Sequence, residues 1–339
     1  MRILVTGATG FVGQRLCQEL LAEQHHVVGY RRPRTTAASA ADPSADPRIE
    51  WLTGELGDGA ALALAMRGVD AVFHLAAALG YVRARRAEQW RVNVEGPVRW
   101  CRRRSRREVG RLVHTSSVVA IGPRADGLPA DETTPYLGAR FRLGYFDSKA
   151  QAELLVQQGV DAGLDAVIVN PSAIFGGGTS NNSSAVLGRV LRGGGRIAPP
   201  GGLCVVAVED VVRGLRLALA KGRCGERYIL GGDNLSYPEL FRLLHSLCGQ
   251  DVSVVTIPAT LWRCLGMVAA GIDRIVPLRP PLTPDAMRAL GGRLFYSSAK
   301  AQHELGYTFE PAPSVLARAL ALASHHHDGG HDDSQVGAG

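Results

Sequence analysis

The chain has 339 residues, 46% of them apolar and 20% charged, with a mean hydropathy of +0.02 and a formal net charge of +7. These proportions suit a folded protein with a sizeable core and exclude a disordered or collagen-like chain. The six cysteines (Cys17, Cys101, Cys204, Cys224, Cys248 and Cys264) are scattered without metal-ligand or redox spacing, so a reducing cytoplasm is expected, with neither a disulfide framework nor a metal site.

The opening MRILVTGATGFVG is apolar after one basic residue, but its glycines and short apolar run read as a strand at 2–6 entering a loop, not as a signal peptide. A helical pattern follows over 11–23. Further strands are expected at 26–30, 48–52, 70–76, 111–117 and 165–171, with helical patterns at 61–68, at 88–101 and from Tyr145 onward. Continuous β-branched runs joined by helices predict an α/β fold, a Rossmann-type doubly wound parallel sheet buried on both faces. Past Pro171 the pattern loosens into glycine-rich loops and shorter helices and strands, read as a smaller C-terminal α/β lobe that shapes a substrate pocket. The expected division is a dinucleotide-binding domain at 1–172, a substrate-binding lobe at 173–322 interleaved with the sheet, and a disordered His- and Gly-rich tail at 323–339.

No uncharged apolar run reaches the roughly 20 residues of a membrane span. The stretch RWCRRRSRREVGR, 99–111, reads either as an anion or nucleic-acid patch or as a solvated helix face. Only Trp100 accompanies it, so the solvated face is preferred and no nucleic-acid partner is expected. The long apolar stretch 257–278, broken by Arg263, Asp273 and Arg274, has three readings: a wall of an apolar pocket, a surface touching a membrane or partner, or a buried packing helix.

Gly7, Gly10 and Gly13 stand three apart at a strand-to-helix junction, in a G-x-x-G-x-x-G spacing. Gly7 suits a tight turn, Gly10 the close approach of a pyrophosphate, and Gly13 close helix–strand packing, with the helix dipole from Phe11 onward favouring the phosphates. An NAD site usually presents an acid at the end of the second strand. Here that strand runs into Arg31, Arg32 and Arg34, with no acid before Asp42. Guanidiniums there suit a 2′-phosphate, so NADP(H) is the expected cofactor and NAD(H) the alternative.

Tyr145 and Lys149, four apart at the start of a helix, share one face, where an ammonium favours a phenolate. Thr115 and Ser117 close the fifth expected strand at the end of the sheet where ligands bind, and in an extended strand they point to one side.

The motifs TGATGFVG, HLAA (74–77), NVEG (93–96), TSS (115–117) and Tyr145…Lys149, in this order, resemble an extended short-chain dehydrogenase/reductase of the NAD-dependent epimerase/dehydratase superfamily over residues 1–322. The sequence is most similar to the dihydroflavonol 4-reductase-like branch. It lies close to hopanoid-associated sugar epimerases and 3β-hydroxysteroid dehydrogenase-like proteins, through ADETTP, VIVNPS, GERYILGG and FYSSAKAQHELGY. The resemblance implies Tyr145 as general acid/base, Lys149 as its activating neighbour on the nicotinamide ribose, Ser117 on the substrate oxygen, and Asn93 in a catalytic or structural supporting role. It implies cofactor contacts at Gly7, Thr9, Gly10, Phe11, Val12, Gly13, Arg31, Arg32, Glu55, Leu56, Leu75, Ala76, Ala77, Tyr145, Lys149, Asn170 and Pro171. Pro97 after NVEG and the loosened NPSAIFGGG depart from the family pattern. Family members are often dimers through the helices holding Asn93 and Tyr145. With the arginines after the second strand, the expected function is reversible NADPH-dependent reduction of a small hydrophobic or natural-product-type ketone or aldehyde. A nucleotide-sugar epimerase or dehydratase that retains NAD and a non-catalytic cofactor sensor are the alternatives.

Overall fold

Strand β1, Arg2–Thr6, places Ile3 and Val5 in one apolar cluster with Leu16 and Phe73, and Leu4 in another with Val28 and Val72. Alternate residues buried on opposite sides are what helices on both faces of a sheet require. The computed structural model describes residues 1–33, 46–80, 85–96, 110–124, 126–136, 144–176, 182–276, 278–279 and 281–328. Arg34, Pro97, residues 99–109 of the arginine run and the tail from 329 lie outside the described residues.

The first half alternates as its apolar runs predict: α1 (Phe11–Ala22), β2 (His26–Arg31), β3 (Glu50–Thr53), α2 (Gly59–Ala65), β4 (Ala71–His74), α3 (Arg86–Trp90), β5 (Arg111–Thr115), α4 (Gly144–Asp161) and β6 (Ala166–Pro171). The second half supplies β7 (Ala173–Phe175), α5 (Asn182–Leu191), β8 (Ile197–Ala198), β9 (Gly202–Ala207), α6 (Val208–Lys221) and β10 (Arg227–Leu230). It closes with β11 (Asp233–Ser236), α7 (Tyr237–Leu247), β12 (Val255–Thr256), α8 (Ala259–Ile272), α9 (Pro284–Gly291), β13 (Arg293–Leu294), α10 (Ala299–Leu305) and α11 (Ala312–Asp328).

Seven strands form the main sheet in the order β3-β2-β1-β4-β5-β6-β10, every neighbouring pair parallel. Residues of α1, α6 and α10 pack on one face, and residues of α2 and α4 on the other. This is the doubly wound α/β sheet that the alternation predicts. The winding reverses between β1 and β4, and the crevice at the carboxyl ends of those strands is where such sheets take ligands. A smaller mixed sheet is built on β9, which pairs with β7, β11 and β13. Its apolar cluster includes Phe175, Leu203, Leu240, Phe241 and Leu316. Local chemistry starts these elements. Ser236 and Glu239 form a reciprocal cap on α7, and Thr283 accepts from the Ala286 amide at the head of α9.

Four features differ from the sequence reading. β5 ends at Thr115, and Ser117 instead caps a single 3₁₀ turn, Val118–Ala120, so Thr115 and Ser117 do not share a strand face. The helical pattern after Arg86 passes into a π-helical turn, Arg91–Glu95, whose buried residues are Asn93 and Val94. α11 continues to Asp328, past the 322 boundary expected for the lobe. The stretch 257–278 is not a buried packing helix: within α8 only Ala269 is buried.

Candidate active site

The turn after β1 is shaped by the absence of side chains. Gly7 adopts φ +72°, and a methyl there would stand 2.8 Å from the Ala76 nitrogen in the segment after β4. A methyl on Gly13 would collide with the Gly7 carbonyl oxygen, so the first turn of α1 sits directly on the loop. Gly10 caps α1 without a side-chain hydrogen bond, and no acid occupies the first turn. The helix therefore directs unneutralised amides and the positive end of its dipole into the β1/β4 crevice, a donor set that fits a pyrophosphate. Thr9 and Gly10 are exposed there, Phe11 and Val12 half-buried, and Gly13 buried. Leu75, Ala76 and Ala77 line the other strand end, each half-buried.

Thr6 lies beside Tyr30 in register, so β2 ends next to this turn. Arg31 is half-buried with its guanidinium 5.0 Å from the Trp51 ring centre, and Arg32 is exposed. The Tyr30 hydroxyl donates to the Glu55 carbonyl at 3.1 Å, which fixes the backbone while the Glu55 side chain faces solvent and Leu56 is buried.

Tyr145 stands in the first turn of α4, half-buried against an apolar cluster of Val119, Phe146 and Ala289 with Tyr136 and Leu294. Lys149, 4% exposed, donates from Nζ to the Thr115 carbonyl at 3.0 Å, at the carboxyl end of β5. Burial lowers its ammonium to about 8, with the charge of Glu153 pulling the other way. Ser117 is half-buried, its hydroxyl accepting weakly from the Val119 amide at 3.4 Å. Tyr136 donates to Asp147 at 2.8 Å, and burial and that carboxylate push its phenol far above the ordinary range. Tyr136 is thus locked as a neutral donor and is no candidate for proton transfer.

Asn93 is buried and fully engaged. Its Oδ1 accepts from the Ala78 amide at 2.8 Å, and its Nδ2 donates to the Ala78 carbonyl and to Ser148 Oγ at 3.0 Å. Ser148 in turn donates to the Tyr145 carbonyl at 2.8 Å, so the π-helical turn braces the backbone of Tyr145. Asn170 is fully buried, and its Nδ2 donates to the Ser117 carbonyl at 3.0 Å and to Glu153 at 2.5 Å. Pro171 is buried beside it. Asn170→Ala is expected to destabilise the fold by about 2 kcal/mol, because it strips a buried carboxylate of a donor. Urea unfolding reads the loss directly, and an unchanged midpoint would contradict this account of the Ser117 brace.

Three groups escaped the sequence reading. Glu153, one turn after Lys149, pairs with Arg227 at 3.2 Å on β10 and holds Asn170. The i, i+4 spacing from Lys149 was a usable signal for it. His74 and His114, facing each other across β4 and β5, stack with ring centres 5.4 Å apart behind Lys149. Arg86 donates to both oxygens of Asp285 at 2.7 and 3.0 Å, tying α9 to α3 beside the start of α4.

Residues 3–231 match the NAD dependent epimerase/dehydratase family, more than half of the chain. The chain belongs to that family. Among relatives of this epimerase/dehydratase protein is a dihydroflavonol 4-reductase-like protein of Synechocystis sp., 32% identical, with 95% of this chain and 94% of the relative covered. A 2-alkyl-3-oxoalkanoate reductase of Stenotrophomonas maltophilia is 30% identical over 96% of this chain and 99% of its own. Of the solved structures, gox2253 superposes with a TM-score of 0.83 at 32% identity, covering 96% of this chain and 98% of its own. A double mutant of the dTDP-glucose 4,6-dehydratase DesIV of Streptomyces venezuelae, solved with NAD bound, superposes at 0.76 with 25% identity, covering 97% and 98%. This epimerase/dehydratase family member is accordingly an NAD(P)-dependent oxidoreductase of the extended short-chain type. Among the described residues no helix is long and apolar enough to cross a membrane.

Proposed function

We propose that the protein uses NADPH to reduce an apolar ketone or aldehyde, reversibly, with Tyr145 as general acid/base. The observation that carries this reading is the end of β2. It reaches the crevice as Arg31–Arg32 beside the glycine turn, where a site for NAD presents a carboxylate. The amides from Gly10 to Gly13 would hold the pyrophosphate, Glu55 and Leu56 would border the adenine end, Lys149 would bond the nicotinamide ribose, and Asn170 and Pro171 would stand beside the nicotinamide.

Bound reduced nicotinamide supplies the hydride. Tyr145 gives its proton to the carbonyl oxygen, and the Ser117 hydroxyl donates to the same atom as negative charge grows there. Lys149, with an ammonium lowered only to about 8, is still mostly protonated at pH 7 and holds positive charge behind the phenol. Leu294, half-buried in the cluster beside Tyr145, supports a substrate that carries hydrocarbon next to its carbonyl. The oxoalkanoate reductase among the relatives supports the same class.

A fluorescence titration should show NADPH bound about 10- to 100-fold more tightly than NADH, the value of one or two charge-assisted hydrogen bonds. Arg31→Ala combined with Arg32→Ala should erase the difference. Equal or tighter binding of NADH would overturn the NADPH assignment. NAD retained through purification would favour the second reading, a nucleotide-sugar epimerase or dehydratase, which the likeness to DesIV supports.

A further inference from the structure

Helix α8 buries one narrow face and leaves the rest of its apolar surface outside. The inner face is fixed: Trp262 donates from Nε1 to the Met287 carbonyl at 2.8 Å, its ring lies against Gly291, and Ala269 is buried. α9, which receives it, is itself held by the Arg86–Asp285 pair, so the orientation of α8 is set by packing and hydrogen bonds on both layers. On the outer side Leu261, Leu265, Val268 and Ile272 follow a 4-3-4 spacing, which lines them up along a helix. All four are exposed, by 51, 42, 60 and 45%. Met267 widens the stripe on one side, so that at 100° per residue the apolar arc covers about 160° of the helix. Ile275, 85% exposed, and Val276 prolong it beyond the helix end.

We propose that this face docks on an anionic lipid surface, with α8 lying in the plane of the interface. Charge favours lipid over a second copy of the chain. Between residues 252 and 284 the sole acid is Asp273, whose Oδ1 already accepts from the Leu278 amide at 2.9 Å. Arg263 and Arg274 are exposed along the Met267 edge of the stripe, and Arg279 is exposed beyond the helix end. Two such faces brought together would set arginine against arginine, whereas an anionic surface neutralises them at about 1 kcal/mol each. The arc is also broader than the seam of a helix pair, and a broad apolar face with basic residues along its edge is the pattern of an interfacial helix. At 14 residues α8 is about 21 Å long, too short to span a bilayer, so it lies on the surface.

The test is sedimentation of the full chain with phosphatidylcholine vesicles, with and without phosphatidylglycerol. Binding is expected only where phosphatidylglycerol is present, and it should weaken as salt rises. Leu265→Asp with Val268→Asp should weaken it at least about tenfold, since each side chain withdrawn from the bilayer forfeits roughly a tenfold factor. Arg263→Glu with Arg274→Glu, which leaves the apolar stripe and its packing intact, should abolish the preference for phosphatidylglycerol. Retained NADPH binding reports that each variant is folded. Failure to pellet with phosphatidylglycerol vesicles, equal binding to phosphatidylcholine alone, or undiminished binding by the arginine variant would each overturn the proposal. So would a wild-type dimer that Leu265→Asp dissociates, which would assign the face to a second copy.

Discussion

Tyr145→Phe is expected to lower turnover by about 10²- to 10⁴-fold while leaving NADPH affinity unchanged, the signature of a group that acts only on the reacting oxygen. The proposed role makes the effect large because the other phenol placed beside it among the described residues cannot substitute. Tyr136, its neighbour in the same apolar cluster, is committed to Asp147 and held neutral. The variant should also fold normally. Tyr145 is half-buried, and the support from Asn93 through Ser148 is given to its backbone carbonyl, which phenylalanine keeps. Loss of NADPH absorbance with a panel of long-chain ketones, starting from 2-alkyl-3-oxoalkanoates, measures turnover; fluorescence measures cofactor binding. A variant with full activity would remove Tyr145 from the chemistry, and one that lost cofactor binding equally would make it a binding residue.

The second large effect is acid unfolding driven by His74 and His114. Both rings are buried and stacked, and burial together with the positive charge of Lys149 lowers both, His74 to about 3 and His114 well below its ordinary value. In the unfolded chain each takes up a proton near pH 6.5, whereas in the fold each stays neutral until far lower pH. Stability is therefore complete above about pH 6.5 and falls as the pH drops from there toward 3. The slope is up to about 1.4 kcal/mol per pH unit for each ring, or about 2.7 for the pair. The two rings differ in what they hold. His74 Nδ1 shares a 2.8 Å hydrogen bond with Thr6 Oγ1, while neither His114 nitrogen has a partner among the described residues. His114→Phe consequently forfeits no hydrogen bond. It should roughly halve the acid slope, with little loss at pH 7 beyond the cost of fitting a slightly larger ring. Urea unfolding measured from pH 7 down to pH 4 decides it, and a slope identical to the parent's would exclude the histidines as its source.

The sheet was legible because its strands are runs such as RILVT and DAVIVNP, buried on both faces and too short for helices, and because the glycines fall where β1 becomes α1. The glycine turn after β1 and the Ser117 turn after β5 could be placed for the same reason, since each follows the carboxyl end of a strand. What escaped depends on partners distant in sequence. Ser117 was read as strand because TSS continues a β-branched run, but the chain turns there and the serine side chain caps the turn. Nothing local says that His74 meets His114, because that follows from the register of β4 on β5. Glu153 has a visible spacing from Lys149, yet its work is done with Asn170 and Arg227. An apolar helix reads the same in sequence whether its side chains are covered or bare, so the exposure of α8 could only come from the packing around it.

Strand β10 also imposes an order on synthesis. β6 is buried along its whole length, and one of its two neighbours is a strand that leaves the ribosome only after β7, α5, β9 and α6 have been made. Until residues 227–230 arrive, the nascent sheet shows a row of unpaired amides and carbonyls flanked by apolar side chains, a template for pairing with any neighbouring chain. A fragment cut at 172 would keep that template permanently and should precipitate when expressed alone. One carried through Leu230 and the closing helix α10, which packs on the same face, has the means to shield it.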